Sequence, residues 1–286
     1  MKIKKTFLNL ALISASLSAF TIINPQKAHA LSINDSNLKN QIGKINYYKF
    51  TKATKIKYFG CAQSVTIPKG TVLAGEPTIF SNGTVDNPKK SLEIQFNFFT
   101  TSYHMRKNWV QPHRGGTWIQ SKYSSNIKNV KLTSAPKYLF DSSMKNLSYS
   151  LGDNYTYTTA FKYNTLENSM KDNKHKLVIA TTDGYIDYYK NGIASAQKFN
   201  KPTASQKIYQ VTQKGNTKYY YYKNAITGIK EKKVSKTGNK RYRLTVKNLN
   251  KPTHYREKED PFATETFNTF TVGGTKYYSY MHDDGE

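Results

Sequence analysis

A tight turn followed at once by a strand of aromatics and cations occurs twice in this 286-residue chain. The first copy is Lys214-Gly215-Asn216-Thr217-Lys218-Tyr219-Tyr220-Tyr221-Tyr222. The second is Val272-Gly273-Gly274-Thr275-Lys276-Tyr277-Tyr278-Ser279-Tyr280, its glycine 58 positions on (273 − 215 = 58). A looser copy, Thr237-Gly238-Asn239-Lys240-Arg241-Tyr242-Arg243-Leu244-Thr245-Val246, lies between them. Gly-Asn and Gly-Gly pairs supply the positive φ angles that two-residue hairpin loops require. Tyrosine, threonine and valine then favour the extended strands on either side. A chain punctuated this way is expected to fold as hairpins.

The first half gives the same answer. Ser91 to Phe98 alternates strictly, with Leu92, Ile94, Phe96 and Phe98 on one face and Ser91, Glu93, Gln95 and Asn97 on the other. Val65-Thr66-Ile67-Pro68-Lys69-Gly70-Thr71-Val72-Leu73 reads as strand, turn, strand. Arg114-Gly115-Gly116-Thr117-Trp118-Ile119 is a further glycine turn feeding an aromatic strand. Strand, lysine–glycine turn, long strand, glycine turn and Trp-Ile is the order of a small SH3-like barrel. The punctuation at Ser134-Ala135-Pro136 marks a soft boundary. The expected fold is therefore all-β with minor helix, in two antiparallel units built of hairpins. Residues 31–130 form the first, SH3-like, and residues 131–286 the second, with the Tyr- and Lys-rich hairpins.

Residues 1–30 read as a signal peptide. Lys2, Lys4 and Lys5 precede an apolar run from Leu8 to Phe20, and Ala28-His29-Ala30 is an A-x-A cleavage site. The apolar run is shorter than the roughly 20 residues a membrane span needs, so no transmembrane anchor is expected. The single cysteine, Cys61, allows no internal disulfide and stands too far from the leader for a lipid anchor. The protein is expected outside the cell, free or wall-associated, on a Gram-positive bacterium.

The formal net charge is +26. Residues 201–258 carry 16 Lys and Arg against 2 acids, whereas residues 259–286 carry 1 against 6. The basic excess lies over the hairpins. It favours a polyanionic partner. Outside a bacterial cell that means anionic wall glycopolymers or lipid headgroups rather than nucleic acid.

The binding candidates follow from the alternation. Arg241, Arg243, Thr245 and Lys247 share one face of a strand whose other face carries Tyr242, Leu244 and Val246. Arginine forks grip phosphate oxygens in pairs, and lysine acts as a mobile point charge. Lys218, Tyr220 and Tyr222 fall on one side of their strand, opposite Tyr219 and Tyr221. The expected ligand-binding set is Lys218, Tyr220, Tyr222, Lys240, Arg241, Arg243, Lys247, Lys276 and Tyr278. The tyrosines serve equally as strand framework.

Signs of catalysis are sparse, and no catalytic residue, cofactor or metal is expected. Cys61 has no fixed partner spacing to His104 or His113. Asp183 and Asp187 stand four apart and could share a strand face as a glycosidase pair would. The six histidines show no metal-ligand spacing.

Several stretches together resemble a family. They are IPKGTVLAG at 67–75, TTDGYIDYYK at 181–190, KVSKTGNKRYRLTVKNL at 233–249 and TVGGTKYY at 271–278. With the A-x-A leader, they resemble uncharacterised secreted cell-surface proteins of lactobacilli and their relatives. They are also similar to the SH3-like modules by which S-layer proteins of those bacteria hold wall polymers. The resemblance implies noncovalent retention at the wall. The chain lacks the long Thr/Ala/Val-rich assembly region of S-layer proteins, an LPxTG sorting signal and a lipobox. Three readings follow: a binder of teichoic-acid-type polymers, an adhesin for host or sulfated glycans, and a wall-active enzyme with an unrecognised site.

Overall fold

A computed structural model of the chain describes residue 42 and residues 46–58, 64–84, 87–98, 101–109, 120–124, 129–140, 159–162, 176–190, 201–256 and 264–283. The fold is nearly all β, in two curled antiparallel sheets. The leader with Ala28 and Ala30, Cys61, His113 and the Arg114–Ile119 turn lie outside the described residues.

The first sheet holds β1 (Asn46–Phe50), β2 (Thr54–Tyr58), β3 (Ser64–Ile67), β4 (Val72–Thr84), β5 (Asn87–Asn97), β6 (Gln120–Ser124) and β7 (Val130–Thr133). Its order is β3-β2-β6-β5-β4-β1-β7. β7 pairs with β1, so this sheet takes in the chain just past residue 130. The turn at Pro68–Gly70 is present, with Gly70 at φ 88°. The strands it joins do not form a hairpin, however, because β3 pairs with β2 while β4 pairs with β1 and β5. Leu92, Ile94, Phe96 and Phe98 all point into one core with Tyr48, Phe50, Ile67 and Trp109. Glu93, read as outward, is 7% exposed.

The second sheet holds β8 (Thr159–Lys162), β9 (Lys176–Ala180), β10 (Tyr185–Tyr189), β11 (Ala204–Lys214), β12 (Thr217–Tyr222), β13 (Lys232–Lys233), β14 (Tyr242–Arg256), β15 (Thr264–Val272) and β16 (Thr275–Asp283). β14 pairs with β12 on one side and with β15 on the other. The ladder β12-β11-β10-β9-β8-β16-β15-β14 thereby returns to β12. A ring of eight strands has an interior just wide enough for side chains to fill. Here Val178, Ile186, Tyr188, Tyr220, Tyr222, Leu244, Phe270 and Tyr277 fill it, together with Phe140 from the segment after β7.

The glycine turns are built as their residues dictate. Lys214 pairs with Thr217 across a two-residue loop in which Gly215 has φ 55°. Val272 pairs with Thr275 across Gly273 and Gly274, at φ 59° and 81°. Two consecutive positive φ values define the type I′ turn that suits strand twist. Gly273 is fixed twice over, since a Cβ there would stand 2.2 Å from the Lys230 carbonyl oxygen. The looser copy is also a hairpin, in which Lys232 and Lys233 pair with Arg243 and Tyr242.

The two units meet through α1 (Tyr103–Arg106), a single helical turn after β5. Its first N–H groups point at two carboxylates of the second unit. Asp183 accepts from Ser102 N at 2.8 Å and Ser102 Oγ at 2.6 Å. Asp187 accepts from Tyr103 N at 2.7 Å, from Ser205 Oγ at 2.6 Å and from Arg106 Nη2 at 3.4 Å. Arg106 is 1% exposed and also donates to the Tyr189 hydroxyl at 2.8 Å. Burial pushes the Asp187 carboxyl up, against the pull of Arg106, Ser205 and Tyr103. Burial also pushes the Tyr189 hydroxyl up, to about 12. His104 stacks on Tyr185 at 5.8 Å. Asp183 and Asp187 thus hold the two units together, a use that their spacing alone does not reveal.

Candidate functional site

The alternation along β12 is as the sequence implies, with Lys218, Tyr220 and Tyr222 on one face. That face is the interior. Tyr220 and Tyr222 are 0% exposed, and Lys218 is buried with them. The Lys218 ammonium donates to the Leu139 carbonyl at 2.6 Å, and the Tyr220 hydroxyl donates to the same oxygen at 3.4 Å. Phe140 meets the Tyr220 ring edge-on at 5.8 Å. Tyr222 donates its hydroxyl to Glu231 Oε2. These three residues are therefore removed from the expected ligand-binding set. A lysine marks a surface only where no buried carbonyl waits for it, and here Leu139 supplies one.

The opposite face of the same strand looks outward, and cross-strand partners in an antiparallel sheet project to the same side. Three rows follow from the register. The first is Lys214–Thr217–Lys247–Thr271–Lys276, across β11, β12, β14, β15 and β16. The second is Thr212–Tyr219–Thr245. The third is Gln210–Tyr221–Arg243–Lys232. Lys214, Lys247, Lys276 and Lys232 are exposed, and Tyr219, Tyr221 and Arg243 are half-buried. Neighbouring strands lie about 4.8 Å apart, so the lysines of the first row recur at about 10 Å.

The other expected residues fall around these rows. Arg243 lies over the Tyr219 ring at 5.0 Å and Arg241 over Tyr242 at 5.8 Å. The Nε atoms of both arginines are covered from solvent and unpartnered among the described residues. Lys240 is exposed and donates to Gln210 Oε1 at 2.9 Å, reaching from the β14 side across β12 to β11. Tyr278 is half-buried and pairs with Thr269 on β15 and Phe161 on β8, next to Lys276 along β16. Among the described residues the one salt bridge is Arg106 to Asp187, so no carboxylate pairs with the cations of the outer rows.

Residues absent from the sequence-based set belong to the face: Lys214, Lys232, Tyr219, Tyr221 and Tyr209. Tyr209 is 43% exposed and sits at an irregularity where the register passes from Ile208↔Tyr222 to Gln210↔Tyr221. The same alternation that grouped Lys218 with Tyr220 also groups Tyr219 with Tyr221. What it lacks is which group faces out.

With geometry and charge together, this face can neutralise a chain of anions and present tyrosine rings beside them. Comparison with known protein families, with curated proteins and with solved structures finds no match for this chain.

Proposed function

We propose that this chain is a secreted bacterial surface protein that holds anionic, teichoic-acid-type wall polymers noncovalently on the outer basic face of its second sheet. One observation carries the reading: Lys214, Lys247 and Lys276 form a regular row across five strands, exposed and without carboxylate partners among the described residues. A repeating anion meets a repeating cation there. Each exposed contact is worth about 1 kcal/mol or less, so retention relies on many contacts at once. Arg243 adds a guanidinium held on Tyr219.

Binding of the purified protein to bacterial walls, before and after teichoic acid extraction, tests it. Extraction is expected to remove most binding. Raising the salt to about 0.5 M is expected to weaken what the intact walls hold, because exposed charges are screened within a few ångströms there. Equal binding to both wall preparations, or binding indifferent to salt, overturns it. Preference for heparin-like sulfated glycans over teichoic acid would assign the same face to host adhesion instead.

A further inference from the structure

Tyr221 stands at the centre of the basic face, and its surroundings differ from those of its neighbours. The Tyr219 ring is covered by Arg243 at 5.0 Å, and Lys207 lies 5.8 Å from the Tyr209 ring. Tyr221 is half-exposed, and neither a cation nor another ring stacks on it among the described residues.

Its flanks are polar and placed by the sheet. On β14, Arg243 is its direct cross-strand partner. On β11, the irregularity brings Tyr209 and Gln210 opposite this single residue. An extra residue on one strand bends it locally and re-aims its side chains. Gln210 Oε1 is engaged by Lys240 at 2.9 Å, which leaves the amide N–H groups to donate outward. The Arg243 guanidinium, held on Tyr219, has no hydrogen-bond partner among the described residues.

A sugar ring presents apolar C–H bonds on one face and hydroxyls around its rim. A tyrosine ring suits the face, and amide and guanidinium donors suit the rim. A bare chain of phosphates has no use for an uncovered ring among cations. We propose that Tyr221 is the floor of a sugar-ring subsite walled by Gln210, Tyr209 and Arg243, and that the polyanion this face selects carries hexose substituents. The inference rests on reading this face as a polyanion site.

The test uses the full chain and three probes. They are a glycerol-phosphate polymer bearing hexose, the same polymer stripped of hexose, and a thymidine oligonucleotide. Wild type is expected to bind the hexose-bearing polymer about tenfold tighter than the stripped one, the scale of one ring-stacking contact. Tyr221→Ala should erase that preference, so that both polymers bind alike. Tyr221→Trp, which keeps an aromatic floor, should retain the preference. A Lys247→Ala/Lys276→Ala variant should weaken both polymers by the same factor. Absence of any preference in wild type, or its survival in Tyr221→Ala, overturns the subsite and leaves the polyanion reading standing. Tighter binding of the oligonucleotide than of either polymer overturns it in favour of base stacking. Unchanged binding of both polymers by the lysine variant overturns the polyanion reading itself.

Discussion

Two sets of cations in this molecule have opposite surroundings. Arg106 and Lys218 are buried, and each is held by named acceptors: Asp187 and the Tyr189 hydroxyl for the first, the Leu139 carbonyl for the second. Lys214, Lys247 and Lys276 are exposed and have no carboxylate partner among the described residues. A buried charge without a partner is costly to keep, whereas an exposed one has water. The first set therefore belongs to stability and the second is the one to which we assign recognition, although residue type does not separate them. Lys218 and Lys276 even occupy equivalent places in the two repeated turns, two residues past the loop's second position. The pairs that close their loops face opposite ways, with Lys214 exposed and Val272 buried, so Lys218 turns inward and Lys276 stays out.

The sharpest way to break this division is at the joint between the units. Asp187→Ala leaves the Arg106 guanidinium buried without its carboxylate. A loss of about 3–5 kcal/mol is expected from urea unfolding, with polymer binding by the folded fraction unchanged. Next comes the core of the second unit. Tyr220→Ala opens a hole among Phe140, Phe270 and Tyr222 and removes a donor from Leu139, for a loss of about 3–5 kcal/mol on the same scale as other large aromatics. Lys218→Met keeps most of the volume but deprives the carbonyl of a charged donor, so about 1–2 kcal/mol is expected. If Lys218→Met lowered wall binding without touching stability, Lys218 would belong to the recognition set after all.

The exposed set should behave in the opposite way. Replacing Lys214, Lys247 and Lys276 together by alanine is expected to reduce wall binding severalfold and to flatten its salt dependence. Thermal unfolding should move little, since surface substitutions of this kind cost within about 0.5 kcal/mol each. The smallest effect concerns pH. Burial pushes the Glu231 carboxyl up, although Tyr222 and Ile226 donate to it. The folded state then binds its proton more readily than the unfolded state, so the stabilisation from protonation is present at low pH and is lost as pH rises through the folded value. Glu231→Gln should therefore gain stability relative to wild type from about pH 4.3 upward. A constant difference between the two across pH 4 to 8 would show that this carboxyl does not report its burial.

Much of this architecture can be read from the chain. The alternation of Leu92, Ile94, Phe96 and Phe98 predicts the face that is buried, and so do Leu244 and Val246. Gly215 and Gly273 sit where their turns need them. What cannot be read comes from partners distant in sequence. The acceptor for Lys218 lies 79 residues earlier, and the donor to Asp187 from α1 lies 84 residues earlier. The pairing of β12 with β14 skips the intervening segment and sets Tyr219 beside Thr245 and Tyr221 beside Arg243. A strand with tyrosines on both faces gives no local cue for which face wins. The sequence therefore places the basic strands correctly and misassigns three of the residues on them.

The row from Lys214 to Lys276 has a consequence for how the protein comes into being. A chain is made from its N-terminus onward, and domains fold as they emerge. The first sheet can close once Thr133 is free. The row needs β16 beside β15, β15 beside β14, and β14 beside β12. A chain still missing its last hairpin can align Lys214 and Lys247 across β12 but lacks Lys276 beside them. The complete row is thus the last feature of the outer face that the nascent protein acquires, and a truncation before Thr275 would take Lys276 from it while leaving the first unit whole.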